Sequence, residues 1–297
     1  MAKPIIMLDA PSNLGLRPPE PGAVPGVYKL AGALRDQHLL ERLDAQEGGV
    51  VTPPRYLSAW DGKTVRNGAA IAAYAHRLAD RIQSLSKQQK FILVLGGDCS
   101  ILLGPMLALR RDGPYGLVYI DGHLDFRHPG NSETLGAAAG EDLALVTGRG
   151  DPDLPNLEGL KPLVRDSDVV ALSFRPHDEC AHEIKQAGMT TFEIEQIQQD
   201  PARVGQAVVV ELAHRSLAGY WIHLDVDVLD PSIMPAVDTP EPGGLSLEEL
   251  VQLLHPLLAS ELAIGMEITV FDPDLDPDGR YAQQLTAAIV AAFKTDL

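Results

Sequence analysis

The sequence has few cysteines, a shortage of basic residues and no long apolar run. Only Cys99 and Cys180 occur among 297 residues, which excludes a disulfide framework and fits the reducing cytoplasm. No apolar run approaches the roughly 20 residues of a membrane span, and the opening MAKPIIMLDAPSN does not have the pattern of a signal peptide. The 24 basic residues face 41 acids, and a net charge of −17 argues against nucleic acid or an anionic membrane as partner.

Short apolar segments alternate with amphipathic ones along the whole chain. The continuous apolar runs 91–95 and 116–120 are typical of strands covered on both faces. Residues 66–87 repeat apolar side chains at helical spacing, and Ser246 with Glu249 forms a capping box before a helix at 247–259. This alternation predicts a three-layer α/β/α sandwich around a mostly parallel sheet, as one domain over residues 1–297. Other predicted strands are 4–8, 50–52, 168–174, 221–228 and 264–270, and other predicted helices are 28–43, 101–111, 132–147, 179–188, 201–217 and 279–295.

The segment HLDVDVLDP at 223–231 places acids at the end of a buried strand. On a regular strand His223, Asp225 and Asp227 would share one face, because side chains two positions apart point the same way. Two carboxylates about 7 Å apart on a buried face repel each other, and a cation between them relieves the repulsion. Taken alone, the pattern fits an exposed acidic strand end better than a metal site.

Two more predicted strands end in polar motifs, GGDCS at 96–100 and DGHLD at 121–125. Carboxyl ends of parallel strands meet at one edge of the sheet, where ligands bind. Carboxylates gathered there without metal would be strongly destabilising, so their convergence favours a metal site. Oxygen donors with few imidazoles suit Mn²⁺, and two such ions would activate a bridging water to hydroxide near neutral pH. The residues expected at this edge are Asp98, Asp121, His123, Asp125, Asp225, Asp227 and Asp230.

In order and spacing, GGDCS, DGHLD and HLDVDVLDPS, followed by PAVDTPEPGGLS, resemble the signature blocks of the arginase/ureohydrolase family. That family includes arginases, agmatinases and formimidoylglutamases. The resemblance implies an α/β/α fold, two Mn²⁺ at the sheet edge, a homo-oligomer, and hydrolysis of a linear amidine or guanidino compound by metal-bridging hydroxide. It also implies roles for individual residues: Asp121 and Asp225 as bridging ligands, His123 and Asp227 as ligands of one metal, Asp125 of the other, Asp98 behind the ligands, and Thr239 near the substrate.

Cys99 stands where most family members have a histidine ligand. As a thiolate it could bind metal and shift the preference towards Zn²⁺, whereas as a neutral thiol it would leave one metal weakly held. A cysteine here also resembles the family branch that hydrolyses Nω-hydroxy-L-arginine.

Two further departures concern catalysis and the substrate. Ala139 occupies the position of the arginase proton-shuttle histidine, so the general acid would be Asp125 or a replacement such as His128, which is otherwise a solvated loop residue. Val270 occupies the position of the glutamate that grips the guanidinium, which argues against plain L-arginine. Glu267, three residues earlier, points to the other side of the strand and matches a structural acid of the family.

The remaining candidates are substrate contacts and supporting residues. Glu241 and Asp178 could face the substrate, and Arg127 and Arg175 are either anion readers or surface residues. His223 would support the ligands or supply a substitute nitrogen for the one that Cys99 removes.

Two functions stay open. The intact acids and His123 favour an active hydrolase. The losses at Cys99, Ala139 and Val270 instead favour a catalytically impaired relative that binds a small molecule with one metal or none.

Overall fold

A computed structural model describes residues 3–294. Within them, one eight-stranded sheet runs through the molecule in the order β2-β1-β3-β8-β7-β4-β5-β6, and neighbouring strands pair in parallel. The strands are β1 (Ile5–Asp9), β2 (Gln46–Val50), β3 (Phe91–Leu95), β4 (Gly116–Ile120), β5 (Val169–Leu172), β6 (Thr190–Phe192), β7 (Tyr220–Asp225) and β8 (Ala263–Thr269).

Helices cover both faces of the sheet and create two apolar cores. One core includes side chains of α1, α8, α9 and α10, and the other includes side chains of α3, α4 and α5. The helices are α1 (Leu30–Asp36), α2 (Leu39–Arg42), α3 (Gly68–Ser86), α4 (Leu103–Asp112), α5 (Asp142–Val146), α6 (Ala181–Gln186), α7 (Ile194–Gln199), α8 (Pro201–Ala213), α9 (Leu247–Ala259) and α10 (Arg280–Phe293). The three-layer α/β/α architecture is therefore confirmed. No helix between residues 3 and 294 combines the length and the apolar character that crossing a bilayer requires.

The central strands are buried along their entire length, which explains their continuous apolar sequence. Every residue of β3, β4 and β7 is buried. Gly265 on β8 makes room for a large neighbour, because a Cβ added there would lie 2.1 Å from the Trp221 ring on β7. β7 and β8 lie at the centre of the sheet, and the carboxyl end of β7 contributes to the candidate site.

Most predicted elements agree with the structure to within a few residues, but four predictions were wrong. The predicted helix 28–43 is divided into α1 and α2 by His38, whose φ is +60°, and the strand predicted at 50–52 is β2, which ends at Val50. The predicted helix 132–147 is only a 3-10 turn at Ala138–Gly140 followed by the short α5, since Gly136 takes a positive φ of 98°. The predicted strand 221–228 ends at Asp225, and Val226–Val228 form a 3-10 turn. β6 and α7 were not predicted, and residues 295–297 lie outside the described part of the chain.

Candidate metal centre

Three loops at the carboxyl ends of β3, β4 and β7 converge on one buried site. The register across the sheet sets Ile120 beside Leu224 and Leu224 beside Ile268, so these strands end at nearly the same level. The motifs GGDCS and DGHLD follow directly from β3 and β4, and HLDVD spans the end of β7. The predicted meeting of the three motifs therefore takes place.

The first group of possible ligands comprises Cys99, Asp121, His223 and Asp225. One donor atom from each lies within 4.8 Å of the others, and all four residues are buried. The Cys99 thiol donates to Asp225 Oδ2 at 2.8 Å and also lies 3.3 Å from Thr269 Oγ1. One sulfur, one imidazole nitrogen and two carboxylates thus face a common centre.

The second group shares Asp121 with the first and adds His123 and Asp227. His123 Nδ1 lies 2.9 Å from Asp227 Oδ2, and the Gly122 amide donates to Asp227 Oδ1 at 3.1 Å. Asp227 reaches this position because the strand ends at Asp225. It therefore lies on a turn, and does not share a strand face with His223 and Asp225 as predicted from the alternation.

Burial and mutual repulsion disturb the titration of these acids. Burial, and next the charge of Asp227, raise the pKa of Asp121 and Asp225 well above the ordinary value. Burial opposes protonation of His123, yet the hydrogen bond and charge of Asp227 outweigh it and raise the pKa of His123 to about 9. For Asp227 the same His123 contact overcomes burial and lowers the pKa. His123 thus lowers the pKa of Asp227 below its ordinary value, whereas the pKa of Asp121 stays raised although His123 also lies near it.

The donor set fits divalent metal. Burial, followed by the charge of Asp225, raises the pKa of the Cys99 thiol, so without a cation nothing favours the thiolate. Carboxylates packed this closely in a buried site are normally compensated by a cation. Carboxylate and imidazole donors accept Mn²⁺, and the added thiol suits Zn²⁺.

Asp125 belongs to neither group of converging ligand atoms found within residues 3–294. Its backbone takes a φ of +41°, in the left-handed region, which few residues other than glycine adopt without strain. Burial, and then the charge of Asp121, raise its pKa well above the ordinary value. The predicted roles of Asp125 as ligand and proton carrier stay predictions.

Asp98 and Glu267 are buried, Asp98 next to Cys99 in the chain and Glu267 beside His223, and their supporting roles stay predictions. Asp98 accepts hydrogen bonds from the Gly15 and Ser100 amides and from the Ser12 hydroxyl, and so ties the loop after β1 to the loop after β3. Glu267 Oε1 lies 2.8 Å from His223 Nδ1, and both side chains are fully buried.

Two buried residues of the site were missed from the sequence. The Tyr119 hydroxyl lies 2.8 Å from Asp121 Oδ2 and 2.8 Å from Asp142 Oδ1. Burial, and next the charge of Asp121, raise the pKa of Asp142 well above its ordinary value. The available signals were a tyrosine two positions before Asp121 on the same strand, and a single acid opening the apolar stretch DLALV.

His128, predicted as an alternative proton carrier, pairs with an acid outside the two ligand groups. His128 Nε2 lies 2.9 Å from Glu183 Oε1 on α6, and the ring meets Phe126 edge-on. None of its contacts in the described chain reaches a ligand of the two groups. Ala139 is buried, and its amide donates to the Gly15 carbonyl.

Among the substrate candidates, Glu241 comes nearest to the site. Its carboxylate lies 3.2 Å from His123 Nε2 and 2.8 Å from His177 Nε2. Asp178 accepts from the Leu124 and Cys180 amides, whereas Thr239 is exposed.

Arg175 is neither a surface residue nor free to read an anion, contrary to both alternatives considered for it. It is buried, and its guanidinium donates to the backbone carbonyls of Glu241 at 2.8 Å and Pro242 at 3.3 Å. It also reaches the Asp227 carbonyl at 3.4 Å, and so holds the 241–242 loop against the metal-binding turn. Arg127 is partly exposed and pairs with Glu179.

Known arginases are similar to this chain in sequence and in structure. The Bacillus subtilis arginase is 29% identical over 303 residues, spanning 98% of each chain, and human arginase-1 is 29% identical over 92% of this chain and 87% of its own. The crystal structure of Bacillus caldovelox arginase superposes with a TM-score of 0.88 at 27% identity, covering 99% of both chains. The model of the arginase family matches residues 10–294. The chain therefore belongs to the arginase family of amidinohydrolases.

Proposed function

We propose that this protein is a dinuclear metal-dependent hydrolase, with Mn²⁺ as the first candidate metal, that cleaves a C–N bond of a linear amidine or guanidino compound. The observation that carries this proposal is the pair of ligand groups sharing Asp121, one with Cys99, His223 and Asp225, the other with His123 and Asp227. A shared carboxylate between two groups is the arrangement that a bridging ligand requires.

Different residues would bind the metals, carry the proton and contact the substrate. Asp121 and Asp225 would bridge two cations, Cys99 would complete one site, and His123 with Asp227 would hold the other. When bound, the cations supply a water activated for attack near neutral pH. Asp125 would accept the proton and pass it to the leaving nitrogen, with His128 as the alternative carrier. Glu241, Thr239 and Asp178 would contact the substrate, with Glu241 closest to His123.

The substrate is proposed to be a compound other than plain L-arginine. Val270 is buried and aliphatic at the position where arginases carry the guanidinium-gripping glutamate, and Ala139 supplies no proton. A substrate with a better leaving group, such as a hydroxyguanidine, needs less help from a general acid. Nω-hydroxy-L-arginine is therefore the first candidate to test.

The experiment is a hydrolysis assay with Mn²⁺, and separately Zn²⁺, over arginine, Nω-hydroxy-arginine, agmatine, guanidinobutyrate and formimidoylglutamate. We expect turnover of at least one compound, faster than arginine, and its loss in an Asp225→Asn variant. Exposed Asp36→Asn serves as the matched control and should keep full activity. Absence of turnover on every compound, at two metals per chain, would contradict the proposal.

One observation favours a second candidate, an impaired relative that binds a small molecule with one metal or none. Asp125 is absent from both ligand groups, and Ala139 has no proton to carry. Elemental analysis separates the two candidates: two metals per chain support the hydrolase, and one or none supports the binding protein.

The remaining proposals concern the setting of the enzyme. We infer that residues 1–297 act as one domain, in the cytoplasm, as a homo-oligomer and without nucleic acid or membrane as partner. Sedimentation of the purified chain tests the oligomer directly.

A further inference from the structure

A buried polar cluster lies beneath the first ligand group, and His223 stands at its centre. His223 pairs with Tyr119 on one side and Glu267 on the other in the register of β4, β7 and β8. The Tyr119 and His223 rings stack with centroids 4.7 Å apart and planes 10° apart. His223 is fully buried. Its ring is therefore held in one orientation by two neighbouring strands.

The two ring nitrogens of His223 have different surroundings. Nδ1 lies 2.8 Å from Glu267 Oε1, so with Glu267 ionised it carries the proton and donates it to that carboxylate. Nε2 is left with a free lone pair, and among residues 3–294 it has no hydrogen-bond partner. The nearest acid oxygen, Asp142 Oδ2 at 3.9 Å, is too far for a hydrogen bond and is itself without a partner.

A buried nitrogen without a partner is unfavourable, so a fully enclosed imidazole normally has something to bind. The only donors that share a centre with His223 in the described chain are Cys99 Sγ and oxygens of Asp121 and Asp225. Two of these are carboxylates, which offer lone pairs and no proton once ionised. A cation is the one species that satisfies all four donors at once.

We propose that His223 Nε2 is a ligand of the metal held by Cys99, Asp121 and Asp225, with Glu267 as the residue that positions its ring. This inference rests on the proposed metal-dependent function and deepens it. The GGDCS loop carries Cys99 where most family members have a histidine ligand. In this proposal His223 on β7 supplies the imidazole instead. To bind this metal, the Cys99 thiol would release its proton to solvent, and its sulfur would coordinate the ion.

The donor set of this position differs from that of its neighbour. Sulfur, nitrogen and two carboxylates form a four-donor set that suits Zn²⁺ or Co²⁺, whereas His123 with carboxylates suits Mn²⁺. We therefore expect the two positions to select different metals, with the softer ion beside Cys99.

The first test is a Co²⁺ titration of metal-free protein followed by visible and near-ultraviolet absorption. Wild-type protein should show a thiolate-to-cobalt charge-transfer band, which Cys99→Ser abolishes. His223→Gln should bind this Co²⁺ at least about tenfold more weakly, since loss even of a residue that only orients a ligand costs that much. His255→Gln, on α9 away from the site, is the matched control and should leave the titration unchanged. Equal affinity and equal spectra for wild type and His223→Gln would overturn the proposal.

The second test leaves His223 in place, in case its replacement prevents folding. In a His123→Asn variant with one equivalent of Zn²⁺, X-ray absorption should show one sulfur at about 2.3 Å and one imidazole nitrogen at about 2.0 Å. Sulfur without imidazole would refute ligation by His223 while leaving the hydrolase proposal standing. Failure of wild type and variant alike to bind metal would refute the hydrolase proposal as well.

Discussion

Val270 stands where the resemblance places the guanidinium-gripping glutamate of the arginases. It follows β8, is buried, and takes a φ of +72°, a conformation that strains a β-branched residue. Its amide donates to the Gly97 carbonyl at 2.7 Å, which holds the strained backbone in place. The hydrogen bond thus fixes the backbone at this position, while the aliphatic side chain offers no charge to a guanidinium.

We predict that Val270→Glu improves the use of plain arginine, because the carboxylate restores an ionic contact with the guanidinium. The expected result is a lower KM and a rise of roughly tenfold in kcat/KM for arginine, equivalent to about 1.4 kcal/mol. Val270→Gln, of the same size without charge, is the control. Equal kcat/KM values for the two variants would show that charge at this position is irrelevant.

The role of Asp230 follows from the hydrogen bonds that its carboxylate accepts. It was expected among the acids at the sheet edge, but its carboxylate accepts from the Ser232 hydroxyl and amide and from the Gly243 and Gly244 amides. The Ser232 bonds, followed by those of the two glycines, lower the pKa of Asp230 to about 2. Asp230 therefore ties two loops together.

We predict that Asp230→Asn lowers the free energy of unfolding by about 1 kcal/mol at pH 7, since charge-assisted hydrogen bonds become neutral ones. Because the folded pKa lies below the ordinary 3.8, this contribution is fully present above pH 3.8 and is lost as the pH falls towards 2. Urea unfolding of both proteins at pH 7 and pH 3 measures it. A difference that grows on acidification would contradict the assignment, and Asp36→Asn should show no such trend.

At the scale of elements, the loops after β1 and β3 approach more closely than side chains allow. A Cβ added at Gly97 would lie 1.7 Å from the Ser12 carbonyl oxygen. The same two loops are joined by the Ser12 hydroxyl bond to Asp98. Gly97 is required because backbone atoms of Ser12 occupy the space of any side chain.

We predict that Gly97→Ala destabilises the fold by more than about 3 kcal/mol, or displaces the loop and weakens metal binding, because the clash is with backbone. Thermal unfolding and metal content measure the two effects. Gly32→Ala is the control. Gly32 is exposed on α1, and a Cβ added there would have nothing within 4 Å, so alanine should raise the free energy of unfolding by about 0.5–1 kcal/mol. A Gly97→Ala protein as stable and metal-loaded as wild type would disprove the close approach.

At the scale of the whole molecule, the buried acids couple metal binding to the stability of the folded state. The chain carries a net charge of −17, and Asp121, Asp225 and Asp227 lie together at the centre of the sheet. Folding gathers these carboxylates and so works against their repulsion. Any cation that binds the folded form alone stabilises it, by an amount that rises with the logarithm of the free cation concentration once this exceeds Kd.

We predict that chelation lowers the thermal midpoint, and that metal at about 100 times its Kd adds roughly 2.7 kcal/mol to the free energy of unfolding. Differential scanning calorimetry with and without Mn²⁺ or Zn²⁺ measures the shift. Asp225→Asn should respond much less, because it removes one carboxylate of the first ligand group. An unchanged midpoint on chelation of metal-loaded protein would exclude a coupled site.

Sequence by itself determined the sheet, its two covering layers and the three motifs that meet at its edge. Continuous apolar runs such as 116–120 encode burial on both faces, and the capping box at Ser246 formed as its spacing requires. The family membership also follows from motifs that can be read along the chain.

Only the tertiary structure decided which side chains share a centre. His223 joins Cys99 because β7 lies between β4 and β8 in a particular register, and Asp227 reaches His123 because the strand turns after Asp225. Periodicity along a chain specifies the face of a residue, but neighbours across a sheet depend on strand order and register. The contacts of Tyr119, Asp142 and Arg175 join segments that are distant in sequence, so the sequence alone does not predict them.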